Sequence, residues 1–398
     1  MRNQKQVNVA LICSSSLTQG GSFSYEAEAL RQITSLSPLN TQFVLYLPKD
    51  SSNPTGISVK NLPVEKYKLN LLSLFLLSLR RTLPGYKFLK FLKLRHGSLE
   101  RSFFRNGIHL AYFLSPNALS LDIVDTPIIS TVWDLGHRDL PEFQEFTGDR
   151  HYEERELYYQ QILPKSFRVF VDTQYTSDRI QSCYGVLENR IIIGGLSARL
   201  LETDLTTSKL PGEYILYPAQ FWPHKRHILL LNAFKIVLET LPNYRLILAG
   251  SDKGNLEYIR RSAYNLGVLD QIDFVGFVSE CELGNLMKNA SCIVFPSQLG
   301  PSNLPPLEAA KLGTPSLISN VHIDKNLNNP LIGTVQYQNP SSWAQRIVEV
   351  LTHKKIPSIN INSESDQISL GFSSAIDDFI QIRFEWNPES DGPYSRKN

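Results

Sequence analysis

The sequence predicts an α/β protein of two doubly wound domains, each built on a parallel sheet. Short apolar runs alternate with amphipathic helical segments in both halves of the chain, as strands buried on two faces require. The rhythm lapses between Gly194 and Glu213, where Gly, Ser, Thr, Lys and Pro replace it, and then restarts. The 398 residues also suit two domains at about 100–200 residues each.

In order, Val7–Cys13 reads as a buried strand, Phe23–Ser35 as a helix and Thr41–Leu47 as the next strand. Strands follow at His109–Phe113, Pro127–Val132, Phe167–Asp172 and Arg190–Ile193, with helices at Tyr152–Leu163 and Ser177–Tyr184. Beyond the lapse, strand Tyr214–Tyr217, helix His227–Leu241, strand Tyr244–Ala249 and strand Asp273–Val275 succeed one another. Ser279 with Glu282 forms a capping box opening a helix toward Asn289. Strand Ser291–Phe295 leads to helix Pro305–Leu312, closed by Gly313 and Pro315. Strand Pro315–Ser319 and helix Ser341–Thr352 complete the pattern. The expected division is a first domain over 1–194, a linker over 195–212, a second domain over 213–375, and a tail over 376–398 packing back on the first. Two such domains are expected to face each other across a cleft, with ligands beyond the carboxyl ends of the strands.

Composition narrows the function. Forty Lys and Arg against 38 Asp and Glu leave a net charge of +2, too balanced for a protein that coats nucleic acid. Cys13, Cys183, Cys281 and Cys292 form no CxxC pair, so neither a zinc ribbon nor a disulfide framework is indicated, and a reducing cytoplasmic compartment is expected. Val7–Cys13 breaks into Ser14–Ser16, unlike a secretory signal. The run Leu69–Leu79 is short of the roughly 20 apolar residues of a spanning helix, so a soluble or peripheral protein is expected.

One segment, 66–105, departs from the rhythm. Leu and Phe recur among Lys68, Arg80, Arg81, Lys87, Lys90 and Lys93, with no acidic residue from Lys66 until Glu100. Two readings fit: a helical hairpin packed on the first domain with solvated cations, or a surface drawn to anionic lipid on the inner face of the membrane.

Chemistry concentrates between Tyr214 and Pro315. The stretch YILYPAQFWPHKRHILLLNAF is a strand, a turn bearing Lys225 and Arg226, and a helix. CIVFPSQLGPSNLPPLEAAKLGTP is a strand, a Gly/Pro/Ser/Asn turn and a helix with Glu308 in its first turn. Free backbone N–H groups at helix starts attract phosphate, and a nearby cation neutralises a diphosphate without metal. Cations at a helix N-terminus oppose its dipole, so their placement favours a ligand anion over a solvated surface. Glu308 could equally be an ordinary first-turn carboxylate, and Asn303 a turn residue. Gly20 and Gly21 suit either a tight strand-to-helix turn or a close approach to a substrate phosphate. His224 and His227 flank the cations without a third ligand, so no metal and no cofactor is expected.

Motifs in order along the chain give this pattern a family resemblance. PAQFWPHKRH, AGSDKGN, VGFVSECEL and NLPPLEAAKLGTP resemble the second domain of retaining glycosyltransferases of the GT-B fold, family 4 (group 1). GGSFSYEAEAL, TVWDLGHRDLPEF and VDTQYTSDRI are similar to the first domain, so that the likeness runs over about residues 7–350. The resemblance implies two Rossmann-like domains, the first facing the acceptor and the second binding a UDP- or GDP-sugar. It implies that Lys225 holds the donor diphosphate beside Arg226, and that Glu308 binds the ribose. Where the family has an arginine this chain has Gln220, and where it has the first of two glutamates this chain has Gly300. Asn303 and the backbone near Leu304 would then fill the space beside the sugar. In the first domain the family's His-Asp is replaced by Trp133–Asp134, with His137 three residues on, so Asp134 and His137 are the catalytic candidates there.

The function so implied is transfer of a sugar, with retention, to a glycan or lipid-linked saccharide in cell-surface polysaccharide synthesis. Alternatives on the same fold are a nucleotide-sugar epimerase and a non-catalytic partner subunit, the second favoured by Gln220 and Gly300.

Overall fold

A computed structural model describes residues 6–14, 21–36, 41–49, 62–67, 75–76, 78–79, 83–92, 96–194, 201–203, 213–299, 304–321, 329–336, 338–353 and 367–386. They form two compact units, each built on one parallel sheet.

The first sheet contains β1 (Val7–Ile12), β2 (Thr41–Pro48), β3 (Val64–Tyr67), β4 (Leu110–Phe113), β5 (Ile128–Val132), β6 (Arg168–Val171) and β7 (Ile191–Ile193), in the order β3-β2-β1-β4-β5-β6-β7. Alternation along β1 builds both faces of this core. Val7, Val9 and Leu11 face α1 (Gly21–Ser35), while Ala10 and Ile12 join the layer of Phe103 and Tyr159 on the opposite side. Those two residues come from α3 (Ser98–Arg105) and α6 (His151–Ile162), and α2 (Leu83–Phe91) precedes them in sequence. Helix α7 (Gln174–Tyr184) starts on Thr173, whose hydroxyl accepts the Thr176 N–H, and stops at Gly185 in the left-handed region.

The second sheet contains β8 (Tyr214–Pro218), β9 (Arg245–Ala249), β10 (Ile272–Gly276), β11 (Cys292–Phe295), β12 (Ser316–Ser319) and β13 (Ile332–Val335), in the order β10-β9-β8-β11-β12-β13. Ile215 and Tyr217 face α8 (His227–Thr240) and α12 (Pro340–His353) in the larger core, which closes around buried Trp343. Tyr214 and Leu216 face the other way, toward α10 (Glu280–Asn289) and α11 (Leu304–Lys311). Helix α9 (Leu256–Leu266) covers the β9–β10 side, and the capping box of α10 is complete, with Ser279 N–H donating to Glu282 Oε2 at 2.8 Å. Sheet order reverses at β1/β4 in one unit and at β8/β11 in the other, the places where a doubly wound sheet opens a crevice.

The units are not continuous in sequence, as the expected first domain over 1–194 would be. Gly136–Tyr152, with α4 (Gly136–Asp139) and α5 (Gln144–Thr147), belongs to the second unit, and Ser365–Asn398 to the first. The last helix, α13 (Gln367–Trp386), begins some ten residues before the expected tail at 376. It lays Phe372 against Tyr112 and Phe43, at ring distances of 5.2 and 5.9 Å, and Asp378 against Arg168 at 2.8 Å. A Cβ at Gly371 would stand 2.5 Å from Ile192 Cγ2, so glycine permits this close approach to β7.

Segment 66–105 holds the end of β3, helix α2 and all of α3, and the strand was not among the predicted elements. In α2, Leu89 is buried whereas Phe88 and Phe91 are 57% and 83% exposed beside exposed Lys87. Lys90 lies in the same helix; Lys68, Arg80, Arg81 and Lys93 lie outside the described residues. No helix among the described residues is long and apolar enough to cross a membrane.

Candidate functional site

In the second unit the loops that leave β8 and β11 flank the point where strand order reverses, the place at which a doubly wound sheet opens a crevice. After Pro218 the chain runs through Ala219–Trp222 into a single 3-10 turn, Pro223–Lys225. Tyr217, buried in the strand, donates its hydroxyl to the Lys225 carbonyl at 2.7 Å, and the Lys225 N–H donates to Trp222 O at 3.1 Å. Arg226 then takes a left-handed conformation, φ 58°, before α8 begins at His227. A non-glycine residue there is strained by about 1 kcal/mol, so the bonds on either side hold the turn in place.

This geometry sends Lys225 toward the loop that leaves β11. Its Nζ lies 3.3 Å from Ser297 Oγ, 3.5 Å from Leu299 O and 5.0 Å from the Phe295 ring centre. Ser297 is itself fixed, its hydroxyl donating to Leu299 O and its carbonyl accepting from Ser319 Oγ at 2.7 Å. Arg226 donates to Gln298 Oε1 at 2.6 Å, and the Gln298 N–H donates to His224 O at 2.9 Å. Two loops separated by about seventy residues are thus laced together at their cations. Gln220, where the family arginine was expected, accepts the Trp222 indole N–H at 3.0 Å.

The loop beyond β11 feeds α11, where Leu304 is the first helical residue and Glu308 is buried, 6% exposed. The structure therefore brings Lys225, Arg226 and Gln220 onto one side of the crevice and places Glu308 in the helix that follows the other. Gly300 and Asn303 lie outside the described residues, as does Gly20; Gly21 is the first residue of α1.

The first-half candidates divide between the two units. Asp134, in the first unit, is paired with Arg155 at 2.6 Å, and Tyr159 donates to its carbonyl at 3.3 Å. The buried Arg155 guanidinium is pushed down by desolvation, but the Asp134 charge outweighs that and raises it. His137 belongs to the second unit, fully buried in α4 with its ring 5.6 Å from Tyr152. Asp134 and His137, three residues apart in sequence, thus sit in different units. His227, flanking the cations, is a core residue between Tyr217 and Phe221, its ring pushed down to about 3 by burial and by neighbouring Lys225 and His224. Among the described residues no cluster of three His, Cys, Asp or Glu could hold a metal ion.

Trp222 and Ser297 join the site without a sequence signal beyond their place after a strand. Glu145 joins it with none: its Oε1 lies 2.9 Å from both the backbone nitrogen and Nδ1 of His224, seventy-nine residues away.

Residues 206–363 match the model of the glycosyl transferases group 1 family. The serotype-specific mannosyltransferase WbdA of Escherichia coli is 30% identical over 152 residues, which cover 37% of this chain and 19% of that protein, so the match spans about a fifth of the relative's length. Anabaena HepE, solved in complex with UDP and glucose, superposes with a TM-score of 0.62 at 14% identity, over 96% of this chain and 100% of that one. WaaG, a glycosyltransferase involved in lipopolysaccharide biosynthesis, gives a TM-score of 0.59 at 14% identity, over 92% and 94%. The chain has the GT-B fold, and the stretch of its second unit from 206 to 363 is similar to the glycosyl transferases group 1 family.

Proposed function

We propose that this protein is a retaining glycosyltransferase that moves a sugar from a nucleoside diphosphate to a glycan or lipid-linked saccharide in O-antigen- or lipopolysaccharide-type synthesis. The observation that carries this is Lys225, held across the β8/β11 crevice with Glu308 buried in the adjoining helix. The group 1 match, a mannosyltransferase relative and a structural neighbour with bound UDP and glucose support it.

At such a site the barrier is charge separation at the anomeric carbon. A fixed ammonium and helix-end amides around the leaving diphosphate stabilise that charge electrostatically, in a place already organised before substrate arrives. Lys225 supplies the cation, and Arg226 adds charge from the same turn. Glu308 accepts ribose hydroxyl protons. Retention follows if the acceptor attacks from the face the diphosphate leaves, the departing phosphate taking the acceptor's proton. On that route neither a metal nor a protein base is required, and Asp134 and His137 enter only through the family resemblance.

The test is a panel of UDP- and GDP-sugars offered with and without saccharide acceptors, in the presence of a chelator. Transfer that needs the acceptor and survives chelation supports the proposal. Acceptor-independent isomerisation of the donor supports an epimerase instead, and no turnover of any donor supports a partner subunit. Phe88 and Phe91, exposed beside Lys87, further support a peripheral position on an anionic membrane, which salt-dependent flotation with anionic liposomes would detect.

A further inference from the structure

Glu145 sits in α5, inside a stretch of the first half of the chain that packs with the second unit. One oxygen, Oε1, meets both the backbone N–H and the Nδ1 of His224, each at 2.9 Å. The carboxylate and imidazole are 7% and 10% exposed. Burial raises the Glu145 carboxyl, but the bonds from His224 outweigh it and leave the group below its ordinary value. The second oxygen, Oε2, is buried with no hydrogen-bond partner among the described residues. A half-matched buried carboxylate is costly, so the contact with His224 must repay it.

The same short helix grips the other wall of the crevice. Phe146 packs on the His224 ring at 5.3 Å and, with Leu140, on Leu299. Lys225 Nζ is held against Ser297 and Leu299, and the residue before it in the chain is His224. Lys225 and Arg226 also place two like charges side by side at the start of a helix, and Glu145 is a carboxylate bonded to the turn that precedes it.

We propose that Glu145 is a positioning residue for diphosphate binding: through His224 it fixes the Pro223–Lys225 turn and so directs the Lys225 ammonium into the crevice. This rests on Lys225 being the diphosphate contact. Glu145 touches no substrate; its effect passes entirely through the turn.

UDP and GDP are titrated by calorimetry into wild type, Glu145→Ala, Glu145→Gln, Lys225→Ala and the double variants, with thermal unfolding of each. Glu145→Ala should weaken the nucleotide that binds by about tenfold. Glu145→Gln, which keeps an acceptor for the His224 N–H, should recover most of that loss. In the Lys225→Ala background neither change at Glu145 should cost anything more, because no ammonium remains to be aimed; a merely structural role would lower affinity in both backgrounds alike. Should Glu145→Ala fail to fold, Glu145→Leu, which also removes the acceptor but fills more of the space, takes its place in the cycle. Equal losses in the two backgrounds, or wild-type affinity for Glu145→Ala, overturns the proposal and leaves Lys225 as the diphosphate contact. Wild-type affinity for Lys225→Ala overturns both.

Discussion

Gly250→Ala tests whether the crevice depends on backbone contact between two strand ends. Gly250 follows β9, and an added Cβ would lie 2.1 Å from Ala219 O, 2.5 Å from Ala219 C and 2.8 Å from Gln220 N. All three are main-chain atoms, so no side-chain rotation relieves the clash. Ordinary contact begins near 3.4 Å, so the two segments must part by about 1.3 Å. That separation strains the bonds from Phe221 N–H to Ser251 O at 3.1 Å and from Gly250 N–H to Gly276 O at 2.8 Å. Overpacking costs about 1–3 kcal/mol and each weakened bond about 1 kcal/mol, giving a loss of roughly 3–5 kcal/mol. Because Ala219 begins the loop that bears Gln220 and Lys225, nucleotide affinity should fall with stability. Thermal unfolding and a UDP/GDP titration measure both. The control is Gly254→Ala, where no atom lies within 4 Å and only a φ of +87° opposes the change, at about 1 kcal/mol. If Gly250→Ala costs no more than the control, the close approach is not what positions the loop.

The buried imidazole of His227 should make the second unit acid-sensitive. Its folded value is about 3 against an ordinary 6.5, so the unfolded chain binds the extra proton between those limits and stability falls as pH drops through them, by up to about 1.4 kcal/mol per pH unit. His227→Leu should flatten that slope in pH-resolved unfolding; an unaltered slope means that His227 does not titrate this way. Phe372→Ala, which empties a fully buried site against Tyr112 and Phe43, should cost about 3–5 kcal/mol in the first unit while nucleotide affinity stays at the wild-type level. A change below about 1 kcal/mol would mean that α13 is not part of that core.

Much of the fold was legible because its strands are buried on both faces and written as continuous apolar runs, such as Ile215–Tyr217 and Ile293–Phe295. The turn from Pro223 to Lys225 was legible for a different reason: cations at a helix start conflict with the dipole, and a local conflict marks a functional place. Strands β3 and β13 escaped notice because Val64–Tyr67 and Ile332–Val335 are half exposed and carry Glu65, Lys66 and Thr334 within short segments. Helix α9 was missed because its apolar residues, Leu256, Ile259, Ala263 and Leu266, are spaced among Arg260, Arg261 and Asn265. The migration of Gly136–Tyr152 to the second unit has no local signature at all. Its Glu145 meets His224 and its Phe146 packs on Leu299, and no pattern within Gly136–Tyr152 names such distant partners. Asp134 was a candidate through the family resemblance alone, and its pairing with Arg155, set by the packing of α6, had no signal in the sequence.

The central claim is that Lys225 in the β8/β11 crevice holds the donor diphosphate. Calorimetric titration of UDP and GDP into wild type and Lys225→Ala tests it most directly. The nucleotide that binds wild type should lose about tenfold to a hundredfold in affinity when the ammonium is removed, because a charge-assisted contact in a partly buried site is worth about 1.5–3 kcal/mol. Equal affinity of the two proteins for that nucleotide would contradict the claim.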